Sequence, residues 1–193
     1  MIFPKKAHTL SSLPNTSREL FLSIPKVVCA VFSLLFFAGP PQCRLEESLR
    51  RLPPERFCLL APGDGPLFPQ STIAVFSDLL EHPPEAVLGL PQGCPAILSG
   101  QNEAAALFAR REGLVPVDCG LSLRDTLTLS SVTETSAVIS LQRPVARLDG
   151  SLVEPVEFPL RLGKRWSPYH LLCCGGALLL AGGPKALEES DIF

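Results

Sequence analysis

"AVFSLLFFAGPPQCRLEESL", residues Ala30–Leu49, is the stretch that decides the fold. The apolar run 27–38 is interrupted only by Ser33, and a Gly-Pro-Pro turn separates it from a charged segment. The run is too short for a membrane-spanning helix, which needs about 20 apolar residues. Valine and phenylalanine between turn residues are typical of a parallel strand that is buried on both faces. The stretch therefore predicts a buried first strand, a turn, and a helix over "CRLEESLRRL", residues 43–52.

A secretion signal is the alternative interpretation of the same run, because basic residues precede it. The preceding segment is long for a signal and contains Glu19 and Pro25, and Phe36 stands where a small residue is expected before cleavage. We therefore expect a cytoplasmic protein, with an exported protein as the alternative. The polar residues 1–23 are expected to be poorly ordered, and residues 24–193 to form a single domain.

The composition excludes several classes of protein. A net charge of −2 gives no electrostatic footprint for nucleic acid or an anionic membrane surface. The seven cysteines include no C-x-x-C pair, and a disulfide framework is typical of shorter secreted chains. The sequence thus predicts reduced thiols, no nucleic-acid partner and no membrane partner.

Alternating strand and helix patterns over about 27–120 predict an α/β sheet with parallel strands. The further predicted elements are strands in "RFCLL" (56–60), "STIAVFSDL" (71–79), "CPAILSG" (94–100) and "LVPVDCG" (114–120), and a helix in "QNEAAALFARREG" (101–113) that Asn102 caps and Gly113 ends.

The pattern changes after residue 120. Three β segments, "DTLTLSSV", "SAVISLQRPVARL" and "VEPVEFPLRL", predict a small antiparallel meander with a hairpin turn at Asp149-Gly150. "SPYHLLCCGGALLLAGG" predicts an apolar helix that Ser167 caps and Gly182-Gly183 ends. The expected fold class is α/β: a mainly parallel sheet with flanking helices, then the meander and a C-terminal apolar helix.

Strand, glycine turn and helix are also the setting of a phosphate-binding loop. Counted from Gly39, that motif needs Gly, Lys and Ser or Thr where the chain has Arg44, Leu45 and Glu46. Two prolines remove backbone N–H donors, and the acidic side chains that follow would repel a triphosphate. We interpret Gly39 and Arg44 as a degenerate phosphate loop and expect no cofactor.

The passage "AILSGQNEAAALFARREGLVPVDCGLS", residues 96–122, resembles the central domain of the Mur ligases. Ser99, Gln101 and Asn102 fall where that family has Asn, Asp and Asp, and Cys119-Gly120 falls at its aromatic-glycine turn. The order of elements over about 27–182 matches as well. The resemblance implies a bacterial α/β protein related to ATP-dependent enzymes that form amide bonds in peptidoglycan synthesis.

The phosphate-loop lysine of that family is absent, which shapes the functional hypothesis. We expect a shortened, non-catalytic relative that binds a small ligand or a protein partner. The alternative is a residual ATP-dependent ligase-like enzyme in which Arg44 and Arg124 replace the lysine.

The segment "CGLSLRDTLTLSS", residues 119–131, is the densest polar cluster. It follows a predicted strand at the end where α/β sheets bind ligands. The candidate ligand-binding residues, suited to an anionic or sugar-like group, are Gly120, Ser122, Arg124, Asp125 and Arg143. The alternative is structural: Thr126 and Thr128 would form the solvent face of a strand, Asp125 would cap a turn, and Arg143 would pair with Asp125 or Glu157.

No metal site is predicted. His170 and Cys173 share a helix face, but zinc needs four ligands and no second pair is evident. Asp78, Glu81 and His82 are interpreted as a solvated turn. Cys119 is interpreted as a packing residue rather than a thiol nucleophile, because nothing in the sequence brings His82 close to it.

Overall fold

The computed structural model describes residues 32–41, 43–64, 67–188 and 193. Residues 1–31, to which the predictions about the N-terminal segment and the secretion signal refer, lie outside the described residues. The elements in chain order are β1 (Phe32–Phe37), α1 (Leu45–Leu49), β2 (Phe57–Leu60), β3 (Thr72–Phe76), β4 (Pro95–Ser99), α2 (Glu103–Arg111), β5 (Val115–Gly120), β6 (Leu127–Val132), β7 (Ser136–Leu141), β8 (Val145–Ala146), β9 (Leu152–Val153), β10 (Val156–Arg161) and α3 (Pro168–Glu188).

Eight strands form one sheet in the order β10-β7-β6-β5-β4-β3-β1-β2. The strands from β2 across to β6 pair in parallel, whereas β6–β7 and β7–β10 pair antiparallel. The predicted fold class is confirmed, and the meander continues the parallel sheet. The predicted segment 136–148 divides into β7 and β8. The predicted turn at Asp149-Gly150 is also confirmed, because Gly150 has φ of 80° and joins β8 to β9 in a separate two-stranded hairpin.

β1 is buried on both faces, as the sequence predicts for its first strand. Leu34 and Phe36 pack into the core shared with α3, while Leu35 and Phe37 pack into the core on the side of α2. The ring of Phe37 stacks on that of Phe76, with centroids 4.5 Å apart. The alternation explains the sequence pattern: a strand between two apolar layers favours large apolar side chains on both faces, as at Leu34–Phe37.

α1 is shorter than predicted, since it ends at Leu49 and Arg50 is its C-cap residue. The backbone N–H groups of Arg51 and Leu52 donate to the carbonyl oxygens of Ser48 and Leu49, which is the i to i−3 pattern of a 3₁₀ turn. Pro53 then prevents the helix from continuing. The basic residues Arg50 and Arg51 therefore lie beyond the last turn of α1. Asn102 caps α2 and Gly113, with φ of 67°, follows its end, as predicted.

α3 covers one face of the sheet and lies against β4, β5, β6 and β10. Its backbone breaks at Gly183 (φ 73°, ψ −168°), as the Gly182-Gly183 pair predicts, but a further helical segment extends through Pro184 to Glu188. By length and composition this helix could cross a membrane, yet 67% of its apolar window is buried within the fold. In this structure α3 is the central helix of the larger core.

Candidate functional site

The carboxyl ends of the parallel strands meet at one edge of the sheet, where a cleft of about 290 Å³ opens. The cleft lies mainly over the ends of β4 and β5, and open α/β sheets bind ligands outside the carboxyl ends of their strands. The start of α3 closes the other side of the cleft. The residues that line the cleft are Asp78, Ser99, Gly100, Gln101, Cys119, Gly120, Leu121, Asp125, Ser167, Pro168, Tyr169 and Leu172.

Asp125 is the carboxylate at the centre of this wall. It is 9% exposed, and its Oδ2 accepts a hydrogen bond of 2.8 Å from the backbone N–H of Ser122. The two carboxylate oxygens lie directly against the Cα atoms of Gly100 and Gly120, where any Cβ would overlap them. Both strand ends therefore need glycine for the carboxylate to fit. The expectation that Asp125 caps a turn is confirmed.

The other candidate residues of this segment support the turn rather than line the cleft. The Ser122 hydroxyl accepts a hydrogen bond of 3.1 Å from the N–H of Arg124, whose side chain is exposed. The Arg143 guanidinium donates to the carbonyl oxygen of Arg124. Among the described residues Arg143 forms no ion pair with Asp125 or Glu157, so that predicted pairing is wrong. The guanidinium instead fixes the turn that carries Asp125.

The structural alternative expected Thr126 and Thr128 to form the solvent face of a strand. This expectation is wrong, because both side chains are buried. β6 lies between β5 and β7, and its first two residues are buried, whereas its last three are exposed. Thr128 lies opposite Ser140 in the antiparallel register, and the Ser140 hydroxyl accepts a bond of 2.7 Å from the Gln142 amide. The hydroxyl groups of Thr126 and Thr128 are therefore buried, whereas Ser130 and Ser131 are exposed to solvent.

Asn102 fixes the loop after β3. Its Oδ1 accepts from the N–H of Ala105 at 2.9 Å, which caps α2. Its Nδ2 group lies 3.1 Å from the carbonyl oxygens of both Asp78 and Leu80, and 3.4 Å from that of Ser77. An amide can accept at one end and donate at the other, whereas an ionised carboxylate can only accept. The site therefore requires Asn, where the resembled family has an acid.

The segment that the sequence analysis interprets as a degenerate phosphate loop lies beside the cleft, after β1. A Cβ at Gly39 would overlap the hydroxyl of Ser77, so glycine serves close packing of two strand ends here. Arg44 is exposed, and its guanidinium pairs with Glu47 at 3.0 Å. Neither Gly39 nor Arg44 lines the cleft.

The electrostatics of the cleft are acidic. Burial, and next the nearby Asp125 carboxylate, raise the pKa of Asp118 above its ordinary value, and Arg143 offsets part of this rise. Asp78 and Asp125 lie on the wall itself, and none of the described lining residues is basic. The cleft therefore favours hydrogen-bond donors and positive charge over an anionic group.

The structure places Asp78 and His170 in a grouping that the sequence analysis missed. Cys43, Asp78 and His170 offer ligand atoms that all lie within 4.8 Å of one another, and all three side chains are half-buried. The sequence analysis weighed Asp78 with Glu81 and His82, and His170 with Cys173, and predicted no metal site from either set. Cys173 is instead fully buried in the core. Only the loop after β1, folding back over the end of β3, brings Cys43 into reach, and no spacing in the sequence signals that.

Cys119 behaves as a packing residue, as expected. It is fully buried at the end of β5, and burial raises the pKa of its thiol well above the ordinary value. Burial likewise raises the pKa of Cys94 to about 11 and that of Cys174 to about 12. These thiols are protected from reaction at neutral pH.

A larger groove of about 1030 Å³ runs between the β6–β7 turn and the residues before α3. Trp166 lines it, and its buried indole N–H has no hydrogen-bond partner among the described residues. The guanidinium of Arg51 and the amine of Lys164 lie 5.1 and 5.5 Å from the Trp166 ring.

Comparison with protein-family models and with curated proteins finds no match for this chain. What the structure establishes of the likeness to Mur ligases is the coarse fold, an α/β structure with a mostly parallel sheet.

Proposed function

We propose that this protein is a cytosolic, non-catalytic α/β protein, arranged like a shortened Mur ligase central domain, that binds a small ligand at the carboxyl edge of its sheet. The ligand class that suits the cleft carries hydroxyl and ammonium groups, as an amino sugar does. The observation that carries the proposal is the cleft at the carboxyl ends of β4 and β5, with Asp78 and Asp125 on its wall and no basic residue among its described lining.

The size and chemistry of the cleft support this ligand class. A volume of about 290 Å³ is at the lower end of the range for small-molecule sites, which suits a single sugar ring rather than a nucleotide. Carboxylates accept hydrogen bonds from hydroxyl and ammonium groups, and an ammonium group adds a charge-assisted bond. The free thiols of the six described cysteines support a cytosolic location.

The non-catalytic part of the proposal rests on residues that are already engaged. Asn102 uses both ends of its amide within the protein, and Arg44 pairs with Glu47. A residual ATP-dependent enzyme would need these positions to face a nucleotide and its metal ion. No contact in the described residues favours that alternative.

The test is a thermal-unfolding titration of the full chain with glucosamine, glucose and ATP–Mg. We expect glucosamine to raise Tm saturably, glucose to raise it less, and ATP–Mg to leave it unchanged. A ligand at a hundred times its Kd adds about 2.7 kcal/mol, or roughly 5–10 °C for a chain of this size.

A matched pair of variants locates the binding. Leu121 lines the cleft and Leu123 does not, yet both are exposed leucines of the same turn. Leu121→Arg places a positive charge at the cleft and should weaken glucosamine binding several-fold, while Leu123→Arg adds the same charge without this effect. Stabilisation by ATP–Mg alone would favour the enzyme alternative, and no stabilisation by any of the three would contradict the proposal.

A further inference from the structure

The grouping of Cys43, Asp78 and His170 has the ingredients of a metal centre. Sulfur, oxygen and imidazole nitrogen form a mixed donor set of the kind that zinc accepts. The three side chains come from separate parts of the chain: the loop after β1, the residue that follows Ser77 at the end of β3, and the first turn of α3. We propose that these three residues bind one zinc ion, with its fourth coordination position left to water or a ligand.

The spacing of the donor atoms suits a tetrahedral ion. Bond lengths of about 2.3 Å to sulfur and 2.0–2.1 Å to nitrogen place neighbouring ligand atoms about 3.3–3.8 Å apart. The Cys43 Sγ lies 4.0 Å from Asp78 Oδ1, and all three ligand atoms lie within 4.8 Å. Small side-chain adjustments bring these atoms to ligand distance, because none of the three donors is locked into the core.

Two serines form hydrogen bonds with the side chains of the proposed metal ligands. The Ser48 hydroxyl lies 3.1 Å from His170 Nδ1, which fixes the imidazole ring in the way that outer-shell partners of metal-bound histidines do. The Ser77 hydroxyl donates to Cys43 Sγ at 3.1 Å, a bond that stabilises a thiolate. Ser77 is itself fully buried and packed against Gly39. The supports thus come from rigid parts of the fold.

The charges also balance. A Cys43 thiolate and an Asp78 carboxylate together neutralise a divalent ion, and His170 ligates as a neutral ring.

A catalytic thiol is the competing interpretation of these residue types. A Cys–His–Asp triad needs the imidazole between the thiol and the carboxylate. Here Asp78 is the neighbour of the thiol, and Ser48 takes the imidazole Nδ1. The contacts therefore favour metal binding.

The site goes beyond the proposed ligand binding and is tested independently of it. Asp78 also lines the cleft, so the zinc ion would adjoin the bound ligand. Repeating the glucosamine titration in the presence of a chelator shows whether the cleft binds without metal. The two proposals can then fail separately.

The experiment loads the metal-stripped full chain with Zn²⁺ or Co²⁺, removes the excess by desalting, and measures metal content and the Co²⁺ absorption spectrum. We expect one equivalent of metal, with the thiolate-to-cobalt charge-transfer band and intense visible bands of a tetrahedral site. Cys43→Ser should abolish the charge-transfer band, and His170→Gln should weaken Zn²⁺ binding more than about 100-fold. Ser48→Ala should weaken it by about 10–100-fold while the stoichiometry stays at one.

The controls use the same residue types outside the grouping. Cys58 is a half-buried thiol on β2 and His82 is an exposed imidazole, so Cys58→Ser and His82→Gln should leave metal binding unchanged. The wild-type Co²⁺ spectrum tests the thiolate ligand even if a variant fails to fold. Less than one bound equivalent, a spectrum without thiolate, or binding that survives both Cys43→Ser and His170→Gln would overturn the proposal. Rapid alkylation of Cys43 at low pH without metal binding would overturn it in favour of the catalytic thiol.

Discussion

The side-chain amide of Asn102 donates to the carbonyl oxygen of Asp78 across 3.1 Å, which ties the start of α2 to the loop after β3. This bond positions Asp78, a residue shared by the cleft and the proposed zinc site. One residue therefore performs a capping role and a bridging role at the functional edge of the sheet.

Replacement of Asn102 separates these two roles. Asn102→Ala loses the cap and the bridge, and we expect a loss of about 2–3 kcal/mol in the free energy of unfolding. Asn102→Asp keeps the cap but sets a carboxylate against the carbonyl oxygens of Asp78 and Leu80, at an expected cost of about 1–3 kcal/mol. The repulsion raises the folded-state pKa of the new carboxyl, so its destabilisation should diminish as pH falls. Urea unfolding at neutral and acid pH measures both effects, and an Asn102→Asp variant as stable as wild type would contradict this role.

The close packing of Gly39 on Ser77 predicts a steric effect. Gly39→Ala should destabilise the fold by about 1–3 kcal/mol, because its Cβ meets a fully buried hydroxyl. Gly63→Ala is the matched control, since nothing lies within 4 Å of its Cβ position. That control should be neutral or stabilising by up to about 1 kcal/mol, as loss of glycine restricts the unfolded chain. Equal stability of the two variants in urea unfolding would show that the contact is not tight.

Thiol reactivity should divide the described cysteines into two classes. In the metal-stripped protein the half-buried Cys43 and Cys58 should react with iodoacetamide first, whereas the buried Cys94, Cys119, Cys173 and Cys174 should stay protected while the protein is folded. Burial raises the pKa of all four protected thiols. Peptide mass spectrometry of a labelling time course gives the order in which the cysteines react. Early labelling of Cys119 would contradict its burial at the end of β5.

Asp118 predicts a pH dependence of stability. Its folded-state pKa is raised, so the folded form binds a proton more readily than the unfolded chain does. The group therefore destabilises the fold above its folded pKa, and this destabilisation disappears as pH falls towards the ordinary value of 3.8. We expect Asp118→Asn to raise Tm at pH 7 and to have little effect near pH 3.5. A variant that lowers Tm at pH 7 would instead mean that Arg143 makes the carboxylate favourable.

Much of the fold follows from local patterns. A run such as "FSLLFF" lacks alternation because β1 has apolar layers on both sides, and Gly113 and Gly150 occur where the backbone takes positive φ. These are properties of short segments, so the sequence predicts them. The predicted end of α1, at residue 52, lies beyond its observed end at Leu49. The prediction did not allow for the effect of Pro53, which disfavours helical backbone in the residue before it.

The site was less predictable because it depends on long-range contacts. Gly120 and Asp125 lie at the cleft, as their position after a strand end suggests, but the Arg124 side chain is exposed and Arg143 donates to the Arg124 carbonyl from the loop between β7 and β8. The sequence around Thr128 suggests a solvent-facing position, yet the residue is buried and lies opposite Ser140 on β7. Cys43 and His170 are 127 positions apart in the sequence, and only the folded sheet brings them together.

The most direct test of the central claim is methyl NMR of the full chain during a glucosamine titration. Leu121 and Leu172 line the cleft, whereas Leu123 lies on the same turn outside it and Leu107 is exposed on α2. We predict saturable shifts of the Leu121 and Leu172 methyl signals, with Leu123 and Leu107 unmoved. Shifts confined to other regions, or no shifts at saturating sugar, would contradict ligand binding at the carboxyl edge of the sheet.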